Sequence, residues 1–346
     1  MSAKKSPSAY AAAGVNIDEM MSGLEAIKKD VKSTKTAGVM SEIGQFGGLF
    51  QSPGRNSLLV ASTDGVGTKL KVANLADKHD TIGQCLVNHC VNDILTQGAR
   101  PLFFLDYIGT AKLTSQVFSA VVRGLCQACR ENGCALLGGE TAEMPGLYPP
   151  GEYDLVGTII GTVDKRKLVT GETLRAGDAL IGLPSSGLQT NGFSLARKIL
   201  FEQEGLKVTD LFPGTRRTVA SILLAVHSSF LPAVEAVEAA GLRIRGMAHI
   251  TGGGLIDNLP RMLPSGLDAV VDLSSWKVPH VFQYMQAKGE VDPEEMFRVF
   301  NMGIGYVIAL RHKDAAAAVD ALTTAGHKPV CLGIIDEGEH KVRFLP

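Results

Sequence analysis

Aromatic residues are scarce in this 346-residue chain, at 6% with a single tryptophan, and neither sign of charge is in excess: 34 Lys plus Arg stand against 35 Asp plus Glu. That balance gives no general attraction to nucleic acid or to an anionic membrane, so an anionic ligand has to be met by local groups. No stretch approaches the roughly 20 apolar residues that a membrane helix needs. Lys4 and Lys5 precede only the short, small-residue stretch Ala9 to Gly14, too brief for the core of a secretory signal, and a cytoplasmic location is expected. Six cysteines, Cys85, Cys90, Cys126, Cys129, Cys134 and Cys331, are too sparse for a disulfide framework. Cys126 and Cys129 form a C-x-x-C, but no second pair completes a zinc site. Val117, Val121, Leu125 and Cys129 recur every four residues up to Asn132-Gly133, so the pair reads as packing on an amphipathic helix.

What is present is an ordinary globular balance, 45% apolar and 20% charged, on a chain long enough for two domains. Residues 1–51 are rich in Gly, Ser, Lys and Ala without a sustained apolar period and read as a mobile arm. Strands are expected at Ser57 to Thr63, Leu102 to Ile108, Cys134 to Leu137 and Tyr153 to Val163, with helices at Asp80 to Gly98 and Ser115 to Asn132. A charged, poorly periodic stretch from Asp164 to Asp178 then separates a second block. There the pattern predicts strands at Ala179 to Leu183, Ala269 to Leu273, Ile304 to Leu310 and Val330 to Ile335. Helices are expected near Asn191 to Glu204, Val219 to Ala240 and Pro279 to Lys288. The expectation is an α/β (α+β) chain with an N-terminal domain over 52–168 and a C-terminal domain over 169–346.

Ser62-Thr63-Asp64-Gly65-Val66-Gly67-Thr68-Lys69 follows directly on the first strand. A carboxylate, two glycines and a lysine there suit a turn that brings backbone N–H groups and an ammonium near a phosphate. The spacing is neither G-x-x-x-x-G-K-[ST] nor G-x-G-x-x-G, so P-loop and Rossmann readings lose support while a plain glycine turn stays open. In the next helix Asn88 with Asn92, and His89 with Asp93, stand four apart and share a face. Set among Leu86, Val87, Val91, Ile94 and Leu95, they point to a coordinating stripe, with a satisfied buried polar network as the alternative. Asp106 sits in the apolar strand Leu102 to Tyr107, where an unpaired charge is expensive, so a cation or a metal is expected beside it. Gly138-Gly139-Glu140-Thr141-Ala142-Glu143-Met144-Pro145 ends another strand with two carboxylates. Acidic positions at element edges, together with one lysine, match what a Mg²⁺-nucleotide site requires. Glycine clusters at Pro184 to Gly192, His249 to Gly254 and Asn301 to Gly305 suit either phosphate binding at a helix start or simple turns.

These runs, in this order from about Tyr10 to Ile335, resemble the phosphoribosylformylglycinamidine cyclo-ligase family, also called aminoimidazole ribonucleotide synthetase; the most specific of them is Gly-Gly-Glu-Thr-Ala-Glu-Met-Pro. The resemblance implies a homodimer whose paired N-terminal domains form a shared β-barrel, with a C-terminal α/β domain outside. It implies that ATP phosphorylates the formamide oxygen of formylglycinamidine ribonucleotide, that the amidine nitrogen attacks the activated carbon, and that phosphate leaves. Catalysis of such a step is mostly positioning and charge neutralisation. The resemblance implies Asp64, Lys69, Asp93 and His249 as the catalytic set, with Asp64, Asp93 and Glu140 as Mg²⁺ ligands and Lys69 on the phosphates. Thr63, Gly65, Gly67, Thr68, Asn92, Asp106, Glu140 and Thr141 would bind the nucleotide, under an arm carrying Lys35. Gln189, Asn191, Gly192, Thr251 and Asn301 would line the substrate side, with His249 as a proton carrier.

Two places depart from the family's pattern. Gln189 stands where histidine is usual, and Val226-His227-Ser228-Ser229-Phe230 where Pro-Thr-Arg/Lys-Ile-Tyr is usual. The first removes a titratable group and the second a cation for a ribose phosphate; His227 is placed to compensate for either. Another ATP-dependent enzyme of the same superfamily, such as a selenophosphate synthetase, thiamine-monophosphate kinase or formylglycinamidine synthetase, would lack the joint Gly-Gly-Glu-Thr-Ala-Glu-Met-Pro and Phe-Leu-Asp-Tyr signatures. A non-catalytic ATP-binding dimeric paralogue would have no need of several acidic metal ligands.

Overall fold

The computed structural model describes residues 26–39, 50–51 and 54–346, so most of the arm expected over 1–51 lies outside the described residues. Within that arm a short helix, α1 (26–32), docks on the N-terminal domain through Thr34, whose hydroxyl accepts the Leu136 N–H at 2.9 Å, and Ser33, whose hydroxyl accepts from Arg130 at 2.6 Å.

The first domain is a four-stranded sheet in the order β1-β4-β2-β3, built from β1 (Ser57–Gly65), β2 (Arg100–Thr110), β3 (Ala135–Glu143) and β4 (Tyr153–Asp164). The strict alternation of buried and half-buried residues along β4 marks a sheet with one covered face. That cover comes from α3 (Asp80–Leu95) and α4 (Ser115–Glu131), while α2 (Lys69–Ala76) leads from β1 toward α3. The two covering helices approach backbone to backbone. A Cβ at Gly83 would lie 2.2 Å from the Val121 carbonyl oxygen, and one at Gly124 would lie 2.3 Å from that of Asp80. On the opposite face Leu59 is 62% exposed, and among the described residues Phe50 packs there against Phe103 at 5.0 Å. Among the described residues β1 and β3 have no further strand beside them, so the sheet is open and the chain makes no closed barrel.

The second domain is a six-stranded sheet in the order β10-β7-β9-β5-β8-β6. Its strands are β5 (Ala179–Pro184), β6 (Gly246–His249), β7 (Leu267–Asp272), β8 (Ile304–Leu310), β9 (Val330–Glu337) and β10 (Val342–Leu345). Every residue of β8 is buried, as its unbroken apolar sequence requires, because apolar clusters cover both faces of this sheet. One of those clusters continues from Ile308 and Leu310 through Phe230 and Leu231 to Leu86 and Val87 beneath the first sheet, so the two domains share a core.

The helices of this domain include α5 (Phe193–Arg197), which a π-helical turn extends through Gln203, then α6 (Val219–Leu223), α7 (Leu231–Ala239), α8 (Gly254–Asn258), α9 (His280–Gly289), α10 (Pro293–Val299) and α11 (Ala315–Thr324). The single helix expected over Val219 to Ala240 is two helices. Leu224 to Phe230 leave the helical path because side chains of α2 and α3 capture their backbone groups, and Pro232 in the first turn restarts α7. Strands β6 and β10 and helices α2, α8, α10 and α11 have no counterpart among the elements expected from sequence; β6 and β10 are only four residues long.

Replacing Gly83 by Ala forces a methyl into the α3–α4 crossing, where the obstructing atoms are backbone and cannot rotate away. The expected loss is about 1–3 kcal/mol of folding stability, read as a lower denaturant midpoint with an unchanged m-value. A midpoint equal to wild type would contradict the close crossing.

Candidate functional site

The domain junction is assembled on α3. Cys85, Asn88 and Asn92 lie on one side of it and bind the segment 225–230. Asn88 donates to the His227 carbonyl at 2.7 Å, and Asn92 donates to the Ser228 carbonyl at 2.8 Å while accepting the Phe230 N–H at 2.9 Å. The His227 N–H reaches the Cys85 sulfur at 3.3 Å. Lys69, at the start of α2 and without exposed surface, donates to the carbonyls of Ala225 at 2.7 Å and Gln189 at 2.8 Å and to the Cys85 sulfur at 3.2 Å. A buried ammonium is tolerable when its donors are taken, and here the acceptors belong mostly to the other domain.

The neighbouring side of α3 carries His89 and Asp93, and these meet β1, β6 and the start of α5. His89 Nε2 lies 2.8 Å from Asp64 Oδ2, and its Nδ1 lies 2.6 Å from Thr190 Oγ1. Thr190 Oγ1 is 3.2 Å from His227 Nδ1, and His227 Nε2 is 3.0 Å from His249 Nε2. His249 Nδ1 closes on Asp93 Oδ1 at 2.8 Å, while the Ser62 hydroxyl donates to Asp93 Oδ2 at 3.0 Å. The result is an unbroken row, Asp64–His89–Thr190–His227–His249–Asp93.

Both ends of that row are carboxylates, which accept only, so the proton positions follow by counting. Five links need five protons, whereas three neutral imidazoles and one hydroxyl supply four; one imidazolium completes the row. The direction of its pKa shift points to His89. Burial pushes its pKa down, but the hydrogen bond to Asp64 and the charges of Asp93 and Asp64 outweigh it and raise it. His227 is held well below the ordinary histidine range by burial and by its cationic neighbours, and His249 is lowered by burial against the pull of Asp93. Burial raises the carboxyls of Asp64 and Asp93, yet the hydrogen bonds and charges of their histidines hold both below the usual range.

A cavity of about 570 Å³ opens beside this row, lined among others by Ser62, Asp64, Asp93, His249, Thr251 and Arg261. It runs along the outer edge of β1, whose backbone groups on that side have no strand partner among the described residues. Arg261 is the one lysine or arginine among its lining residues, and its guanidinium bonds to the Asn258 side-chain oxygen at 3.2 Å. His89, Asp93 and His249 also place three ligand atoms within 4.8 Å of one another.

Of the residues singled out from sequence, Thr63, Asp64, Asp93, His249 and Thr251 come together on this cavity. Others stand elsewhere. Lys69 was expected on phosphates; its ammonium is spent on carbonyls behind the row. Asn92 was expected on the nucleotide, but both ends of its amide hold the backbone of 228–230. Asn301 ties Ser185 and Gly187 to Gly303 rather than facing substrate. Gln189 is only 2% exposed, with neither amide atom partnered. Asn191 and Gly192, both half-buried, lead from Thr190 into α5, with the Asn191 amide 3.4 Å from Thr190 Oγ1, and Gly65, Gly67 and Thr68 form the turn beyond the cavity, where Thr68 meets Ser194 at 3.0 Å. His249 is not a free proton carrier, since both its ring nitrogens are engaged.

Asp64, Gly157, Asp106 and Gly139 form one row across the sheet, which puts Asp106 two strands, roughly 10 Å, from Asp64. No ion pair reaches Asp106 among the described residues. Instead its carboxyl lies over Gly139, where a Cβ would come within 2.3 Å, and burial raises its pKa to about 7. Glu140 is a strand further on and pairs with Tyr107, one step out of that row, so in a single chain it does not join Asp64 and Asp93 around one ion. Thr141 follows it along the same edge, and Lys35 lies on the exposed turn after α1, beside β3 rather than β1. Ser62 and Thr190 were read only as members of their runs, without a role of their own, and Asn258 and Arg261 were missed. The first was legible as the polar residue two before Asp64 on one strand face; Arg261 carried no signal.

The titrations have opposing signs. His89, with a raised pKa, contributes stability fully below its free value near 6.5 and loses it as pH rises through the folded value. His227 and His249, with depressed values, contribute above about 6.5 and lose that as pH falls. Stability of wild type should therefore decline between pH 6.5 and 5, and His227→Phe should flatten the decline by up to about 1.4 kcal/mol per pH unit. Denaturant unfolding across that range measures it, and an unchanged slope would mean that His227 is not buried neutral.

The family models for AIR synthase related protein match this chain over 37–163 for the N-terminal domain and 175–345 for the C-terminal domain. The chain is 46% identical over 331 residues to a phosphoribosylformylglycinamidine cyclo-ligase of Thermoanaerobacter sp. (strain X514), covering 95% of this chain and 98% of that protein. It is 47% identical over 333 residues to the one of Geobacillus kaustophilus (strain HTA426), covering 95% and 96%. Among solved structures, the hydrogenase maturation protein HypE of E. coli superposes with a TM-score of 0.68 at 18% identity over 96% of this chain and 94% of that one. Thiamine-monophosphate kinase of Stenotrophomonas maltophilia K279a gives a TM-score of 0.64 at 17% identity over 92% and 95%, and at these identities the likeness is one of fold. Matched by both domain models along most of its length, the chain belongs to the AIR synthase related protein family.

Proposed function

We propose that this chain is an ATP-dependent cyclo-ligase of de novo purine biosynthesis, converting formylglycinamidine ribonucleotide to aminoimidazole ribonucleotide with release of ADP and phosphate, in the cytoplasm. The observation that carries the reading is the cavity along the outer edge of β1. It ends on two ionised carboxylates in a chain that is 46% identical over 95% of its length to a relative bearing that name. The N-terminal domain would supply the nucleotide side of this cleft and the C-terminal domain the substrate side.

An amide oxygen leaves poorly until it is phosphorylated, so the site has to bring a phosphoryl donor and the formamide together and tolerate the charge that develops. The outer edge of β1 offers N–H groups without a strand partner among the described residues to anionic oxygens, and Arg261 offers a planar cation on the facing wall, suited to a substrate phosphate. Asp64 and Asp93 are hard oxygen ligands held ionised at the cavity wall, a donor set that fits Mg²⁺, which takes one or two carboxylates along with phosphate oxygens. When bound, the ion would neutralise phosphate charge. His89 and His249 keep the two carboxylates oriented, and Ser62 fixes the second oxygen of Asp93.

The exposure of Leu59 on the face of the four-stranded sheet away from its helices supports a homodimer in which two such sheets face one another and complete a shared β-barrel.

Purified chain given formylglycinamidine ribonucleotide, ATP and Mg²⁺ is expected to form aminoimidazole ribonucleotide and ADP in equal amounts. Asp64→Asn is expected to lower turnover by about 100-fold or more while leaving the fold intact by circular dichroism. ATP binding without substrate-dependent ADP release would instead favour a non-catalytic paralogue. Leu59→Lys puts a charge on the open sheet face and is expected to shift the sedimenting species from dimer to monomer; a dimer of undiminished stability would place the interface elsewhere.

A further inference from the structure

We propose that His227 is a positioning residue for the ring-closing site: by donating its Nε2–H to His249 Nε2 it holds His249 in the form protonated at Nδ1, and so fixes the orientation of Asp93 at the cavity wall. The kinetic part of this proposal rests on the cyclo-ligase reading; the tautomer part does not.

His227 itself does not line the cavity and has no exposed surface. Its place is nevertheless elaborately fixed. The chain leaves helical geometry between α6 and α7, and the backbone of residue 227 is gripped on both sides, N–H by Cys85 and carbonyl by Asn88. The ring is then held at both nitrogens, Nδ1 by the Thr190 hydroxyl at 3.2 Å and Nε2 by His249 at 3.0 Å. A leucine or phenylalanine would fill such a volume at lower desolvation cost, so an imidazole there calls for a use of its N–H.

That use follows from the next link. Asp93 accepts from His249 at Oδ1 and from Ser62 at Oδ2, so its rotation depends on the Nδ1–H of His249. The two neutral tautomers of an imidazole differ little in free energy, and the hydrogen bond made by one nitrogen selects the proton on the other. With a donor at Nε2, His249 carries its proton at Nδ1, toward Asp93. Without that donor the opposite tautomer becomes accessible, with a bare nitrogen facing a carboxylate. The loss of an outer hydrogen-bond partner of this kind commonly costs 10 to 100-fold in activity.

Three variants separate this role from packing. His227→Gln keeps an amide N–H at similar reach, whereas His227→Phe fills the volume without a donor and His227→Asn keeps polarity but falls short of His249. Expected for Phe, and for Asn should Phe fail to fold, is a fall in kcat of about 10-fold or more, with the KM for ATP changed by less than about two-fold; Gln should recover most of the loss. In ¹⁵N-histidine-labelled protein, His249 should be protonated at Nδ1 in wild type and Gln, and should lose that preference in Phe or Asn. An unchanged His249 tautomer in the donor-less variants, or equal kcat in Gln and Phe whatever their melting temperatures, would overturn the proposal. Wild type without turnover would remove the cyclo-ligase reading, and the ¹⁵N spectra would still decide whether His227 sets the tautomer.

Discussion

A lysine ammonium with no exposed surface and no carboxylate paired to it holds the two domains in register. Such a group is stable in the interior only while carbonyl oxygens surround it, and those oxygens, from Gln189 and Ala225, belong to the C-terminal domain. Separating the domains would leave a charge and its acceptors unpaired on an apolar surface. That cost, added to a core cluster that runs through the junction, makes the cleft between the domains a fixed feature.

On that fixed junction sits a row of alternating acceptors and donors that only two domains can complete. Asp64, His89 and Asp93 come from the first sheet and its covering helix; Thr190, His227 and His249 come from the second. The row sets the His89 ring between two half-buried carboxylates and so neutralises part of their charge. It leaves both side chains lining the cavity, as the proposed Mg²⁺-nucleotide site requires. Helix α3 serves both purposes from neighbouring sides: Cys85, Asn88 and Asn92 grip the partner domain's backbone, and His89 and Asp93 carry the row to the cavity wall.

Much of this was legible in the chain. The open α/β architecture and most strands of both sheets follow from apolar runs punctuated by glycine; Asp64 was legible as a carboxylate in the glycine turn after the first strand, and Asp93 as part of a polar stripe on an otherwise apolar helix. The spacing of His89 and Asp93 marked a shared face. Lys69 misled, because a lysine after a glycine turn has the same pattern whether its ammonium meets a phosphate or a carbonyl, and the difference is one of burial. Asn92 misled for the same reason: an amide on a polar stripe does not declare its partner. Arg261 gave no sign at all, since a loop arginine after proline is common.

The sequence by itself determined the class of fold and the family, and it named two carboxylates that the fold brings to one cavity, because local periodicity and motif order are carried by residues close together in the chain. Only the tertiary structure decided which polar groups face the cavity and which serve as struts. The partners of Lys69, Asn92 and His227 lie more than a hundred residues away along the chain or on another element, and a hydrogen bond is settled by a few tenths of an ångström that no spacing encodes.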